Sequence, residues 1–285
     1  VSRAGMRVWC AALSPGARGR PTHLDAIGAR RFESQKAQVV PTVAVVGTGF
    51  LELRQTELHF GRLREFQQRV EGGSAAAWGQ AHPSFLGMWT TDIGASAARI
   101  YHLYYWADYD ERDAAAAVTA RLKVEETPEL FGGDLVASEA SSIFAEATTT
   151  LKAAGLPGVL AFRPSLPGGE ASAAPAYEMR TYQLRLGYTT VPRFLRLYEE
   201  GLVEKLAADT SGQSELVSLL HSEAGAAPLN TVVELWRHAS LQGAQASRAA
   251  SRGAATWRRA VGEIAELAVR FDTQLLRPIA CGRLR

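Results

Sequence analysis

The chain has 285 residues, 47% hydrophobic and 21% charged, with a formal net charge of +2; that is enough apolar material for one large core or two ordinary ones, and Lys and Arg dispersed among acids exclude a polyanion-binding surface of the kind nucleic acid needs. Two cysteines, Cys10 and Cys281, near opposite ends, exclude a disulfide framework and a cysteine-rich metal site, and fit a reducing compartment. No uninterrupted apolar run reaches the ~18–20 residues a transmembrane helix requires.

The first 24 residues carry Arg3, Arg7, Arg18 and Arg20 before the first acid, Asp25. Arginine without acid, spaced by small residues, is the composition of an organelle import signal, so residues 1–40 are expected to be a transit peptide, or else a basic extension, with the mitochondrion ahead of the plastid. Next comes VAVVGTGFLELR (Val43 to Arg54), an apolar run entering Gly47-Thr48-Gly49 as a dinucleotide-binding loop does. The third glycine of that fingerprint would fall at Glu52, the sequence continues as a strand instead of a helix, and Gln67-Gln68-Arg69 stands where an acid should grip a ribose. A nucleotide-binding fold is excluded.

FLELRQTEL (Phe50 to Leu58) is echoed by AYEMRTYQL (Ala176 to Leu184): Arg54 to Arg180 and Gly61 to Gly187 are each 126 residues apart. Gly94 and Gly225 differ by 131, Trp106 and Trp236 by 130. Near-constant offsets mark a tandem duplication, with a first repeat over 41–163, a Pro/Gly/Ser-rich linker over 164–176 and a second repeat over 177–285. In the second, an alternating strand Tyr177 to Leu184 precedes a helix capped by Thr190, with Val191, Phe194, Leu195, Tyr198, Leu202 and Leu206 at helical spacing. Strands Glu215 to Ser222 and Asn230 to His238 follow, then a helical region Gln245 to Phe271 broken at Gly253, then a short strand Gln274 to Ile279. The corresponding last strand of the first repeat is expected at Val159 to Arg163. The order β-α-β-β-α-β predicts an α+β protein: two tandem ferredoxin-like repeats whose sheets pack face to face as a pseudo-dimeric α/β barrel.

YEMRTYQLRLG (Tyr177 to Gly187), LNTVVELWRHASLQ (Leu229 to Gln242) and SRAASRGAATWRRAV (Ser247 to Val261) resemble the NIPSNAP family of the dimeric α/β-barrel superfamily; FLELRQTELHFG and YHLYYWADYDER carry the resemblance in the first repeat. The resemblance implies a mitochondrial protein, linked in animals to vesicular traffic and to marking damaged mitochondria through partner proteins. It supplies no catalytic residues to carry over. The wider superfamily contains monooxygenases, haem-degrading enzymes and decarboxylases.

Strand alternation groups Glu52, Arg54 and Thr56 on one face, with His102, Tyr104 and Trp106 on the following hairpin. Their counterparts are Glu178, Arg180 and Tyr182, with Glu234, Trp236 and His238. The more apolar set, Thr231, Val233 and Leu235, is expected to meet the helices, leaving the polar set toward the barrel. There Glu-x-Arg either bridges the sheets as a paired buried charge or serves as base and anion holder, and the duplicated pairing favours the first. His102, His221 and His238 could converge as acid–base or haem ligands, yet no metal-ligand spacing, serine elbow or phosphate loop occurs, so no metal or cofactor is expected. The expected role is a non-catalytic protein that acts through protein partners, possible homo-oligomers included, met at exposed helical faces and unpaired sheet edges. The alternative is a small-molecule-binding or enzymatic barrel, monooxygenase- or haem-protein-like.

Overall fold

A computed structural model describes residues 49–70, 84–125, 134–164 and 175–284, with the backbone alone for 118–125 and 280–281. The expected import segment, most of the linker, and residues 43–48 lie outside the described residues. The first repeat runs β1 (Phe50–Leu58), α1 (Leu63–Arg69), β2 (Phe85–Ile93), β3 (Arg99–Trp106), α2 (Tyr109–Glu125) and β4 (Val136–Glu146), followed by a short α3 (Thr148–Ala153). The second runs β5 (Ala176–Leu184), α4 (Thr190–Ala208), β6 (Ser214–Gly225), β7 (Thr231–His238), α5 (Leu241–Ser251), α6 (Ala255–Leu267) and β8 (Ala268–Gly282).

All eight strands pair antiparallel in one closed barrel, in the order β1-β3-β2-β8-β5-β7-β6-β4. Within that ring each repeat keeps the ferredoxin-like order, last strand, first, third, second. The two quartets are sewn together at β2–β8 and β4–β6. The expected unpaired edges are therefore absent among the described strands: the sheets curl until their edges hydrogen-bond, which satisfies backbone groups that face-to-face stacking would leave open. Gly225 stands at one seam, opposite Ser142, with φ +106°; its twin Gly94 has φ +125°.

Alternating side chains fill the barrel from both repeats: Leu51, Leu53, Trp89, Tyr101, Leu103 and Phe144 meet Tyr177, Met179, Val217, Val233, Leu235 and Leu276. Val159, Phe162 and Leu284 close one end. The other end opens into a cavity of about 620 Å³ rimmed by Gln55, Thr181, Gln183 and Gln274. Over the outer face of the second repeat, α4 and α6 bury Phe194, Leu197, Tyr198, Leu202, Trp257, Ile264 and Leu267.

Several boundaries differ from expectation. The fourth strand of the first repeat is Val136–Glu146, not Val159 to Arg163; its first half is largely exposed and polar, which hides the strand pattern, while Val159 and Phe162 lie in a turn that plugs the barrel. The N-cap of α4 is Thr189 and makes no side-chain cap bond. The helical spacing that continues to Phe271 is misleading: α6 stops at Leu267, and Val269 and Phe271 are exposed on β8.

Candidate functional site

The polar faces point the other way from expectation. Thr231, Val233 and Leu235 turn into the barrel, while Glu178, Arg180, Tyr182, Glu234, Trp236 and His238 lie beneath the helices, as do Glu52, Arg54, Thr56, His102, Tyr104 and Trp106 in the first repeat. The cores sort them so: Val233 and Leu235 pack with residues of both repeats, whereas Tyr182, Val232 and Trp236 pack with α4 and α6. The reason is solvation. The barrel interior takes the more apolar set, with Arg237 at its edge paired to Glu215; the helix-covered face can admit arginines from helix edges to neutralise buried acids. The Glu-x-Arg motif therefore does not bridge the sheets. It ties each sheet to its helices.

In the first repeat Glu52 is fully buried. Its carboxylate accepts from Arg54 Nε (2.9 Å) and Nη2 (3.3 Å), Arg112 Nε and Nη2 (both 3.0 Å), Trp106 Nε1 (2.9 Å) and Ser141 Oγ. An ionised carboxylate offers about four lone-pair sites, so this one is saturated. Burial pushes its pKa up, but the hydrogen bonds from Arg54, Arg112 and Ser141 prevail and hold it at about 2. The Arg54 guanidinium lies 4.7 Å from the centre of the Tyr104 ring. His102, Tyr104 and Trp106 stack in a row, and His102 Nε2 meets Thr56 Oγ1 at 3.4 Å.

The second repeat repeats this plan and loosens it. Glu178 accepts from Arg180 Nε (2.7 Å) and Arg248 Nη2 (2.8 Å), with His238 Nε2 at 3.3 Å; His238 Nδ1 meets Ser214 Oγ at 2.6 Å. Despite burial, the neighbouring His238 and the hydrogen bonds from Arg180 and Arg248 hold Glu178 well below the usual carboxylate range. Trp236 Nε1 bonds Glu234 at 2.6 Å, not the Glu178 that would correspond to Glu52. Glu234, fully buried, lies 3.6 Å from Arg180 through the same oxygen, and its other oxygen has no hydrogen-bond partner. Burial, reinforced by the nearby Glu234 charge, raises the Tyr182 and Tyr198 hydroxyls well above their ordinary range. Lys205 of α4 reaches into this cluster with Nζ 3.8 Å from the Trp236 ring centre and 4.3 Å from that of Trp257, and it makes no hydrogen bond. Burial lowers its pKa to about 7, against the pull of Glu234.

Of the expected residues, each repeat's set is thus brought together, but the three histidines do not converge. His102 belongs to the other repeat, and His221 faces Val232 at the end of β6 remote from the Ser214–His238 pair. Sequence reading missed Arg112, Ser141, Arg248, Lys205 and Trp257 as site members. Lys205 was findable, since it falls three residues after Leu202 and seven after Tyr198 on the buried stripe of α4. Beside the cluster, a cavity of about 260 Å³ is lined by Arg180, Arg248, Arg252, Arg258 and Trp257. Among the described residues, no group of three or more His, Cys, Asp or Glu side chains is placed to hold a metal, and no helix is long and apolar enough to cross a membrane.

The family model described as NIPSNAP matches residues 51–146 and 177–282, one match per repeat. Among solved structures, a candidate monooxygenase from Lactobacillus acidophilus NCFM is similar at 7% identity and TM-score 0.51, over 83% of this chain and 97% of that one. A second, from Fusobacterium nucleatum, is similar at 9% identity and TM-score 0.53, over 82% and 93%. At these identities the likeness is one of fold. A NIPSNAP family protein of unknown function from Agrobacterium tumefaciens C58 shares 26% identity over 41% of this chain and 98% of its own, at TM-score 0.34. No curated protein matches.

Proposed function

The chain belongs to the NIPSNAP family, and from that premise we propose that it is a non-catalytic interaction protein of the mitochondrion, holding partner proteins in the setting the family resemblance implies, vesicular transport and mitochondrial quality control. The observation that carries this reading is a duplicated pair of exposed apolar side chains. Phe60 and Leu186, 126 residues apart, stand fully or largely in solvent just after β1 and β5, each directly before a glycine, with the exposed Tyr188 beside the second. Both loops follow the strand ends that rim the open mouth of the barrel. Large apolar groups left in water in matching places favour contact with other proteins. The saturated Glu52 and the ion-paired Glu178 support a structural use of the buried acids over acid–base work.

The test is proximity labelling in cells with the wild-type chain and a Phe60→Ser/Leu186→Ser/Tyr188→Ser variant. The expected result is mitochondrial labelling whose strongest partners disappear in the variant while its melting temperature stays unchanged. Cytosolic labelling, or an identical partner set, overturns the proposal. A second reading, an enzyme of the kind the monooxygenase-described neighbours bring to mind, is favoured only by the unpartnered Glu234 oxygen and Lys205 amine. Substrate-dependent oxygen uptake that Lys205→Met abolishes would establish it; uptake indifferent to that change would dismiss it.

A further inference from the structure

The 260 Å³ cavity has a neighbour. A second cavity of about 300 Å³ is lined by Tyr182, Val261, Ile264, Ala265, Ala268, Val269 and Phe271, and Val261 borders both. Each cavity is walled by β5 on one side and α6 on the other. Arg180 and Trp257 stand at the first; Tyr182, two residues further along the strand, and Ile264, seven further along the helix, stand at the second. The two form successive stations of one crevice.

Their chemistry differs sharply. At the first station four guanidinium groups, Arg180, Arg248, Arg252 and Arg258, face two acids: Arg180 and Arg248 are spent on Glu178, and Arg180 also neighbours Glu234. Arg252 and Arg258 have no carboxylate partner among the described residues, which leaves two positive charges in excess even with Lys205 neutral. Planar guanidinium forks around a recess beside an aromatic wall select an oxyanion. The second station carries one charged side chain, Arg270, and otherwise shows carbon: Val269 is 62% exposed and Phe271 51%. Such side chains in water favour an alkyl chain laid over them.

We propose that this crevice binds one soluble, single-chain anionic amphiphile, its oxyanion head between Arg248, Arg252 and Arg258 and its tail along Val261, Ile264, Val269 and Phe271. The recess suits a single chain rather than a bilayer surface, because the head site lies between two elements beside the half-buried Arg180 and is not spread over a flat basic face. Together the stations fall in the size range of small-molecule sites. The arginine-lined head station shares no lining residue with the cavity at the barrel mouth, whereas the tail station borders that mouth through Arg270.

Isothermal titration of the full chain with dodecyl phosphate and with laurate, each below its micelle threshold, tests it. One-to-one binding of either is expected, weakened about tenfold or more in Arg252→Ala/Arg258→Ala, as loss of charge-assisted hydrogen bonds predicts. Val269→Ser/Phe271→Ser should weaken both amphiphiles and leave any response to inorganic phosphate alone unchanged. All four positions are solvent-exposed, so the variants should fold, and an unchanged melting temperature verifies it. Inorganic phosphate binding as tightly as dodecyl phosphate, indifference to either double variant, or affinity only for vesicles containing anionic lipid would each overturn the proposal.

Discussion

A buried carboxylate that receives more donors than it has lone pairs is a structural anchor, and Glu52 shows how that reads in solution. Its pKa is depressed in the fold, from an ordinary 4.5 to about 2, so the native state binds fewer protons than the unfolded chain between those values. The stability it confers is complete above about pH 4.5 and disappears as pH falls toward 2. Glu52→Gln should cost ~3–5 kcal/mol at neutral pH, because Arg54 and Arg112 are left without their acid. It should also flatten the acid limb of the urea midpoint against pH; a variant whose midpoint falls as steeply as wild type below pH ~4.5 removes Glu52 from the account. Lys205 has the opposite sign. Burial disfavours its charged form, so it opposes folding fully below about pH 7, and the penalty fades as pH climbs toward its ordinary 10.5. Stacking on Trp236 and Trp257 returns up to ~2 kcal/mol, less than desolvation of an ammonium takes away. Lys205→Met should therefore stabilise the protein by ~1–4 kcal/mol at pH ~6, with the gain shrinking by pH ~10. Equal urea midpoints for both proteins at the lower pH would mean that the amine is satisfied. The acids of both anchors could be read from the duplicated Glu-x-Arg. Their helix partners could not, since Arg112 and Arg248 meet Glu52 and Glu178 across 60 and 70 residues of chain.

At the level of elements, periodicity named β5 and β7 nearly to the residue, but it ended β6 at Ser222 where the strand runs to Gly225, and it placed the last strand at Gln274 to Ile279 where β8 spans Ala268–Gly282. Periodicity alone cannot say which face is which. Both faces of β7 are buried throughout, and the deciding fact is that one meets the barrel interior and the other meets helices. Helix packing supplies a sharper test. α4 crosses α6 at Gly201, where a Cβ would sit 2.9 Å from Trp257 Cε3 and 3.0 Å from both Trp257 Cα and Ala260 Cβ. Alanine is the better helix former by up to ~1 kcal/mol, yet overpacking two helices typically costs ~1–3 kcal/mol. The contact with backbone cannot be relieved by a rotamer change, so Gly201→Ala should be net destabilising in chemical denaturation. A stabilised variant would show that α4 and α6 are free to separate.

Over the whole molecule, closure explains why a duplicated chain needs both halves. Each quartet of strands ends in two open edges and carries an inner face of Leu, Val, Trp and Tyr side chains that only the other quartet covers. The seams are specified down to the backbone: at Gly225 a Cβ would come within 2.7 Å of Ser142 Cα and still closer to Ser141 O, so only a residue without one lets β6 lie against β4. An isolated second repeat, residues 177–285, would expose Tyr177, Met179, Val217, Leu220, Val233, Leu235 and Leu276. Burial of large apolar side chains is worth ~1.5–3 kcal/mol apiece, far more than a stable fold can forgo. The fragment is expected to escape water by the route the duplication already uses, pairing β6 and β8 of one copy with β8 and β6 of another in an eight-stranded dimer. Light scattering after size exclusion should give twice the fragment mass, or an aggregate where the seam geometry fails. A folded, soluble monomer would mean that the inner face does not need its partner.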